Sequence, residues 1–331
     1  MKTNQECFKY FANLINYLHD NGYHFMRFED VQSDSYKINE KQVVLRFDIH
    51  LRDLNNTPDL FKIEESILGF VASTSFVMFG LQGSTSSEFL NEYYFNSRYD
   101  AFVASCVDDG IEVQPHISPI NDYIHRFQPD WMSLDEAAIA RLLVENYHCQ
   151  ETPCGLEFSV KNKDVFNLEH INNAVAEFIQ EYLFLWRSRY GFLPKGFAVH
   201  GNSIPMNRII HNGVLINQLN IQKRFQDYFE VHSSAIREKL DLYSDCTIPR
   251  WMWQKPNFKS NNLQLLVHPA RWSDSVIDGY IAKANQLQIE NGNLLYPYAT
   301  PLDTIINPVD FINSGLSRYE YSLVNKSSSY Q

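Results

Sequence analysis

The sequence predicts an α/β fold in which parallel strands alternate with helices and close toward a barrel. Val43–Asp48 and Ser73–Phe79 read as strands, and the helical stretch between them completes a strand–helix–strand unit within about 35 residues, the size of a βαβ motif. That alternation recurs along the chain. Four of the predicted strands end in a histidine-bearing element: Asp48/His50, His116, His200 and His268. In α/β barrels the functional groups gather at the C-terminal strand ends, on the loops that follow.

A chain of 331 residues can bury a sizeable core. No internal repeat, low-complexity block or linker divides it, so residues 1–331 read as a single barrel domain. Residues 1–40 form an N-terminal helix and loop packed on the barrel, and 302–331 a C-terminal tail. Hydrophobic residues make up 44% and charged residues 20%, an ordinary globular balance. The formal net charge of −11 argues against nucleic acid or an anionic membrane as the main partner. No run has the length of a membrane-spanning helix. The first residues carry Glu6 and lack a basic segment followed by a long apolar one. A cytoplasmic protein is the expectation. The five cysteines (Cys7, Cys106, Cys149, Cys154, Cys246) are odd in number and scattered, which suits free thiols in a reducing compartment.

The elements follow from local pattern. Phe8, Phe11, Leu14, Ile15 and Leu18 recur at spacings of three and four, an amphipathic helix over Cys7–His19 stopped by Asn21-Gly22. Tyr23–Phe28 reads as a short strand. Thr57-Pro58-Asp59 starts a helix, with threonine as cap and proline in the first turn, ending near Gly69. A helix over Tyr99–Val107 turns at Asp108-Asp109-Gly110 into a strand, Ile111–Gln114. Helices follow at Leu134–Tyr147, opened by a capping-box-like Ser133–Glu136, and at Ile171–Tyr190, with an irregular piece between them. Gly196–Val199, Leu240–Tyr243 and Leu263–Val267 are the later strands, residues 207–240 are helix-rich, and Ser275–Glu290 is the last helix.

Val43–His50 is the most informative stretch. It opens as a buried strand and ends in a carboxylate and an imidazole two residues apart, so Asp48 and His50 share a face if the strand runs on. That arrangement suits a metal ligand beside a general base. The plainer alternative makes Asp48 a cap and His50 an ordinary loop histidine. His19, His24, His125, His148, His170, His211 and His232 carry no matching motif. Trp251 and Trp253 could stack on a sugar face, but loop tryptophans more often cover the core. Glu112, inside a predicted strand, is placed to anchor Arg46 across the barrel. No glycine-rich phosphate loop is present.

Arg46-Phe47-Asp48-Ile49-His50, Gly110-Ile111-Glu112-Val113-Gln114-Pro115-His116, His200-Gly201-Asn202-Ser203 and Leu265-Leu266-Val267-His268-Pro269 occur in that order over residues 43–272. Their order and spacing resemble the polysaccharide deacetylase superfamily, the NodB-homology fold of carbohydrate esterases, and within it the branch whose first motif reads R-H-D-V-D. The resemblance implies a distorted (β/α) barrel of about seven parallel strands. It also implies one divalent metal and hydrolysis of an N- or O-acyl group, such as acetyl, on a sugar or glycan intermediate. Carried over by position, Asp48 is the catalytic base, His50 stands at the metal-binding aspartate, His116 matches a histidine ligand, and His268 matches the histidine that protonates the leaving group.

Departures are specific. Phe47 and Ile111 replace histidines of the motifs, Pro115 precedes His116, and Ile120 stands where a second histidine four residues after His116 would ligate. His200 is the candidate third ligand, and Asp48 as ligand instead of base is the alternative assignment. An imidazole-rich set suits Zn²⁺, with Co²⁺, Ni²⁺ or Fe²⁺ next. Arg46, Asn202 and Trp253 are the candidate substrate-binding residues, for a carbohydrate or acylated amino sugar. A non-catalytic carbohydrate-binding or assembly relative is the competing reading.

Overall fold

The computed structural model describes residues 7–33, 36–37, 40–80, 97–130, 147–152, 155–160, 168–200, 224–245, 258, 260–279 and 281–282. In chain order the elements are α1 (Lys9–Asp20), β1 (His24–Met26), α2 (Phe28–Gln32), β2 (Gln42–Ile49), α3 (Thr57–Leu68), β3 (Thr74–Met78), α4 (Ser97–Asp108) and β4 (Val113–Ile117). Then come α5 (Pro119–Phe127), β5 (Tyr147–Thr152), β6 (Gly155–Val160), α6 (Leu168–Tyr190), β7 (Gly196–Val199) and β8 (Phe229–Glu230). The remainder are α7 (Ser234–Arg237), β9 (Asp241–Ser244), β10 (Asn262–Val267) and a 3₁₀ turn, Pro269–Arg271. Residues 274–279 and 281–282 are helical. Of the helix expected over Leu134–Tyr147, residues 134–146 and the capping box lie outside the described residues, and Tyr147 opens β5.

Seven parallel strands curl into a half-barrel in the order β8-β7-β4-β3-β2-β10-β9. This is the expected distorted (β/α) barrel. From β2 the path runs through β3, β4 and β7 to β8, while the last two strands return to the other side of β2. Successive strands thus neighbour one another, with the opening between β8 and β9. On the β3 side of β2 the partner changes partway: Gln42–Val44 pair with β1, and Arg46–Ile49 with β3.

β2 is buried along its whole length because both faces are covered. Val43, Leu45, Phe47 and Ile49 join the larger core, with Val77, Val113, Phe197, Leu263, Leu265 and residues of α1, α3, α4 and α6. The helix α1 seals it: Phe11 meets Phe47 and Trp272 edge-on at centroid distances of 5.8 and 5.5 Å. Val44 belongs to a smaller cluster within the curl, with Met26, Phe28, Phe76, Ala198, Phe229 and Val231. Residues of β2 two apart share a face, so Arg46, Asp48 and His50 stand in line with Val44. Apolar packing fills the lower part of the curl and polar groups fill the top.

Local corrections have physical causes. β1 is shorter than expected because Asp30 accepts the Arg27 N–H at 3.1 Å and starts α2. Thr57 is the first residue of α3, and its hydroxyl donates to the Asp53 carbonyl at 2.7 Å. β4 runs to Ile117 and carries His116 within it, past Pro115. The backbone of Ile117 faces β7, where it accepts the His200 N–H, so by alternation the absent Pro115 N–H also falls on the β7 side. Pairing there begins only at His116, and the Gln114 side-chain oxygen accepts the Lys195 and Gly196 amides. The piece expected as irregular contains an antiparallel hairpin, β5–β6. No described helix is long and apolar enough to cross a membrane. Cys7 and Cys106 are free thiols.

Candidate metal centre and proton-transfer groups

His50 follows β2, His116 lies in β4, His200 follows β7 and His268 follows β10, so two pairs of neighbouring strands flanking β3 deliver four imidazoles to one end of the half-barrel. The rings of His116 and His200 are 4.9 Å apart between centroids, those of His50 and His200 5.1 Å, and those of His50 and His116 6.1 Å. One nitrogen from each of these three lies within 4.8 Å of the others. His268 stacks on His50 at 5.6 Å.

The polar contacts set protonation states. His116 Nδ1 donates to the Ala198 carbonyl at 3.1 Å. Burial first, and then Arg46, hold the His116 pKa down to about 4 against the opposing pull of Asp48, so the ring is neutral near pH 7. Its Nε2 is then a bare lone pair 3.3 Å from Asp48 Oδ2 with no hydrogen-bond partner. Two acceptors face each other with no proton between them. A cation relieves that arrangement, and the donor set offered is three imidazoles. Burial and the surrounding rings also hold His50 and His200 well below the ordinary histidine value, which keeps them unprotonated and able to ligate. The residues present fit a divalent transition metal.

Asp48 is clamped rather than loose. Arg46 donates from Nε to Oδ1 at 2.7 Å and from Nη2 to Oδ2 at 2.8 Å, a bidentate pair within one strand. Burial pushes the carboxyl up, but Arg46, His116 and His268 together outweigh it and hold Asp48 below the usual carboxylate range. A guanidinium only donates, so the 3.1 Å contact of Arg46 Nη1 with His232 Nε2 makes that nitrogen an acceptor and His232 a neutral ring. His232 carried no motif in the sequence, yet it holds Arg46 from the far side. The expected Arg46–Glu112 contact is replaced by this set. Glu112 accepts from Thr74 Oγ1 and Gln114 Nε2 and lies 3.8 Å from Arg27.

His268 has its own carboxylate. Its Nδ1 donates to Asp245 Oδ1 at 2.6 Å and its backbone N–H to Oδ2 at 2.5 Å, while Trp272 Nε1 donates to Oδ2 at 3.0 Å. Burial raises the Asp245 carboxyl, but His268 outweighs it and Asp245 stays ionised. The sequence did hold a signal for Asp245, which follows a strand end just as Asp48 and His268 mark theirs. A search confined to histidines passes over it. Asn202 and Trp253 lie outside the described residues.

No protein-family model matches the chain, and no curated protein does. Among solved structures, a de-N-acetylase from Aggregatibacter actinomycetemcomitans is similar at 14% identity and a TM-score of 0.35, over 81% of this chain and 88% of that one. Likeness at that level carries no argument about function.

Proposed function

We propose that the protein is a metal-dependent hydrolase that removes an N- or O-acyl group, acetyl foremost, from a sugar or glycan intermediate in the cytoplasm. The observation that supports it is the trio His50, His116 and His200, with ligand nitrogens within 4.8 Å of one another beside an ionised aspartate. Zn²⁺ suits that trio, with Co²⁺, Ni²⁺ or Fe²⁺ next. When bound, such an ion supplies a Lewis acid and a water acidified toward neutral pH. Asp48 is the base: it takes the water's proton on Oδ2, the oxygen that faces His116. The Arg46 clamp aims that carboxylate while lowering its basicity. His268 delivers a proton from Nε2 to the departing amine or alkoxide, because Asp245 holds the Nδ1 end. Asn202 and Trp253 are the proposed sugar contacts, and Arg46 acts on substrate through Asp48.

Metal analysis of untagged protein, followed by acetate release from N- and O-acetylated amino sugars, tests this reading. Near-stoichiometric transition metal is expected, with acetate release abolished by chelation and restored by Zn²⁺. His116→Ala is expected to lose the metal. Wild-type protein that takes up no metal on titration would overturn the hydrolase and favour a carbohydrate-binding module.

A further inference from the structure

His50 and His268 leave the sheet from adjacent strands, and the segments after them are joined by one carboxylate. Asp53 is wholly buried. Its Oδ2 accepts the backbone N–H of His50 at 3.0 Å, and its Oδ1 accepts the N–H of Ala270 at 2.7 Å, from 217 residues away. Arg52 Nε stands 3.8 Å from Oδ2. The main chain of Asp53 is fixed as tightly. Its N–H donates to the His50 carbonyl at 2.9 Å, and its own carbonyl accepts the Thr57 N–H at 3.0 Å as well as the Thr57 hydroxyl.

We propose that Asp53 is a positioning residue for the metal centre. By tying the His50 backbone to the segment after His268, it sets the reach of the His50 imidazole toward His116 and His200. This rests on reading the three histidines as metal ligands. A residue that only stabilised one turn would need one oxygen on one amide. Asp53 uses both oxygens on two loops, and those loops carry the two imidazoles that stack on each other. Metal ligation tolerates positional error of only about 0.2 Å, so a small slip of the His50 backbone reaches the bond. An asparagine keeps one acceptor but turns an NH₂ group toward an amide N–H, which forces the loops apart.

Full-length protein freed of metal by chelation is titrated with Co²⁺, followed by its visible absorption, with circular dichroism recorded on the same samples. Asp53→Asn is expected to keep the wild-type dichroism, to bind Co²⁺ roughly 10- to 100-fold more weakly, as other residues that support ligands do, and to show an altered visible band. Thr57→Val, which removes the hydroxyl from the same turn, is expected to lower the melting temperature and leave Co²⁺ affinity and spectrum unchanged. If Asp53→Asn does not fold, Asp53→Ser carries the same expectation. Wild-type affinity and spectrum in a folded Asp53 variant would overturn the proposal and leave Asp53 a stabiliser of the fold, as would failure of both variants to fold. If wild-type protein takes up no Co²⁺, the metal reading falls and this proposal with it; the other outcomes leave wild-type uptake intact.

Discussion

Arg46 is 2% exposed and its charge is balanced within the barrel by Asp48 two residues along the same strand. Strand parity made that pairing legible: residues 46, 48 and 50 share a face in any extended chain. The outer contacts were not legible, because His232 and Asp245, each past the end of a strand, lie 186 and 23 residues from their partners. A buried ion pair is weak evidence for stability, but breaking one leaves an unpaired charge. Arg46→Met should therefore cost about 3–5 kcal/mol, while Arg46→Met with Asp48→Leu should recover much of it. Urea denaturation of the two variants decides. A double variant as unstable as the single would mean that the pair stabilises the fold beyond mutual neutralisation.

At the scale of elements, α1, α3, α4, β2 and β3 match their expected bounds to within two residues, since apolar periodicity marks them. By contrast, α2 and α5 stand where the sequence predicts no helix, and α6 starts three residues before the expected Ile171. β8 has two residues, too few for alternation to register, and Pro115 signals a break that is harmless because β4–β7 pairing begins only at His116. Two glycines separate local strain from lost pairing. Gly69 ends α3 at φ +82° with open space around a would-be Cβ, so Gly69→Ala meets backbone strain alone, about 1 kcal/mol. In β7, a Cβ on Gly196 would meet the Phe229 carbonyl and ring at 2.4 Å. Gly196→Ala must push β8 away, and with it the segment carrying His232. Its loss of stability should exceed that of Gly69→Ala, and the Phe229 and Val231 amides should lose protection from hydrogen exchange. Equal losses, with protection unchanged, would show that β7 and β8 part without consequence.

For the whole molecule, the curl buries acids and imidazoles together, and their linkages to pH have opposite signs. Burial holds His116 down to about 4, so stability is lost as pH falls from about 6.5 toward 4. Burial lifts Glu230 to about 8, only partly offset by Arg46, and lifts Glu64 to about 7. Folding keeps a proton on Glu230 that the unfolded chain releases near 4.5. Its contribution is therefore full below 4.5 and is lost as pH rises toward 8. Between 4.5 and 6.5 the two trends oppose each other. From pH 7 to 8 His116 no longer contributes a slope and Glu64 passes from half to mostly ionised, so its slope fades, whereas Glu230 still contributes, at most about 1.4 kcal/mol per pH unit. Glu230→Gln keeps an oxygen for the His232 N–H, which Glu230 accepts at 2.9 Å, and removes the titration. In metal-free protein the stability of Glu230→Gln should fall less steeply than wild type from pH 7 to 8, and the variant should gain on wild type at the alkaline end. Urea midpoints at half-unit steps test it. Parallel curves would mean that Glu230 is ionised in the fold, with Arg46 as its counter-charge as well as that of Asp48.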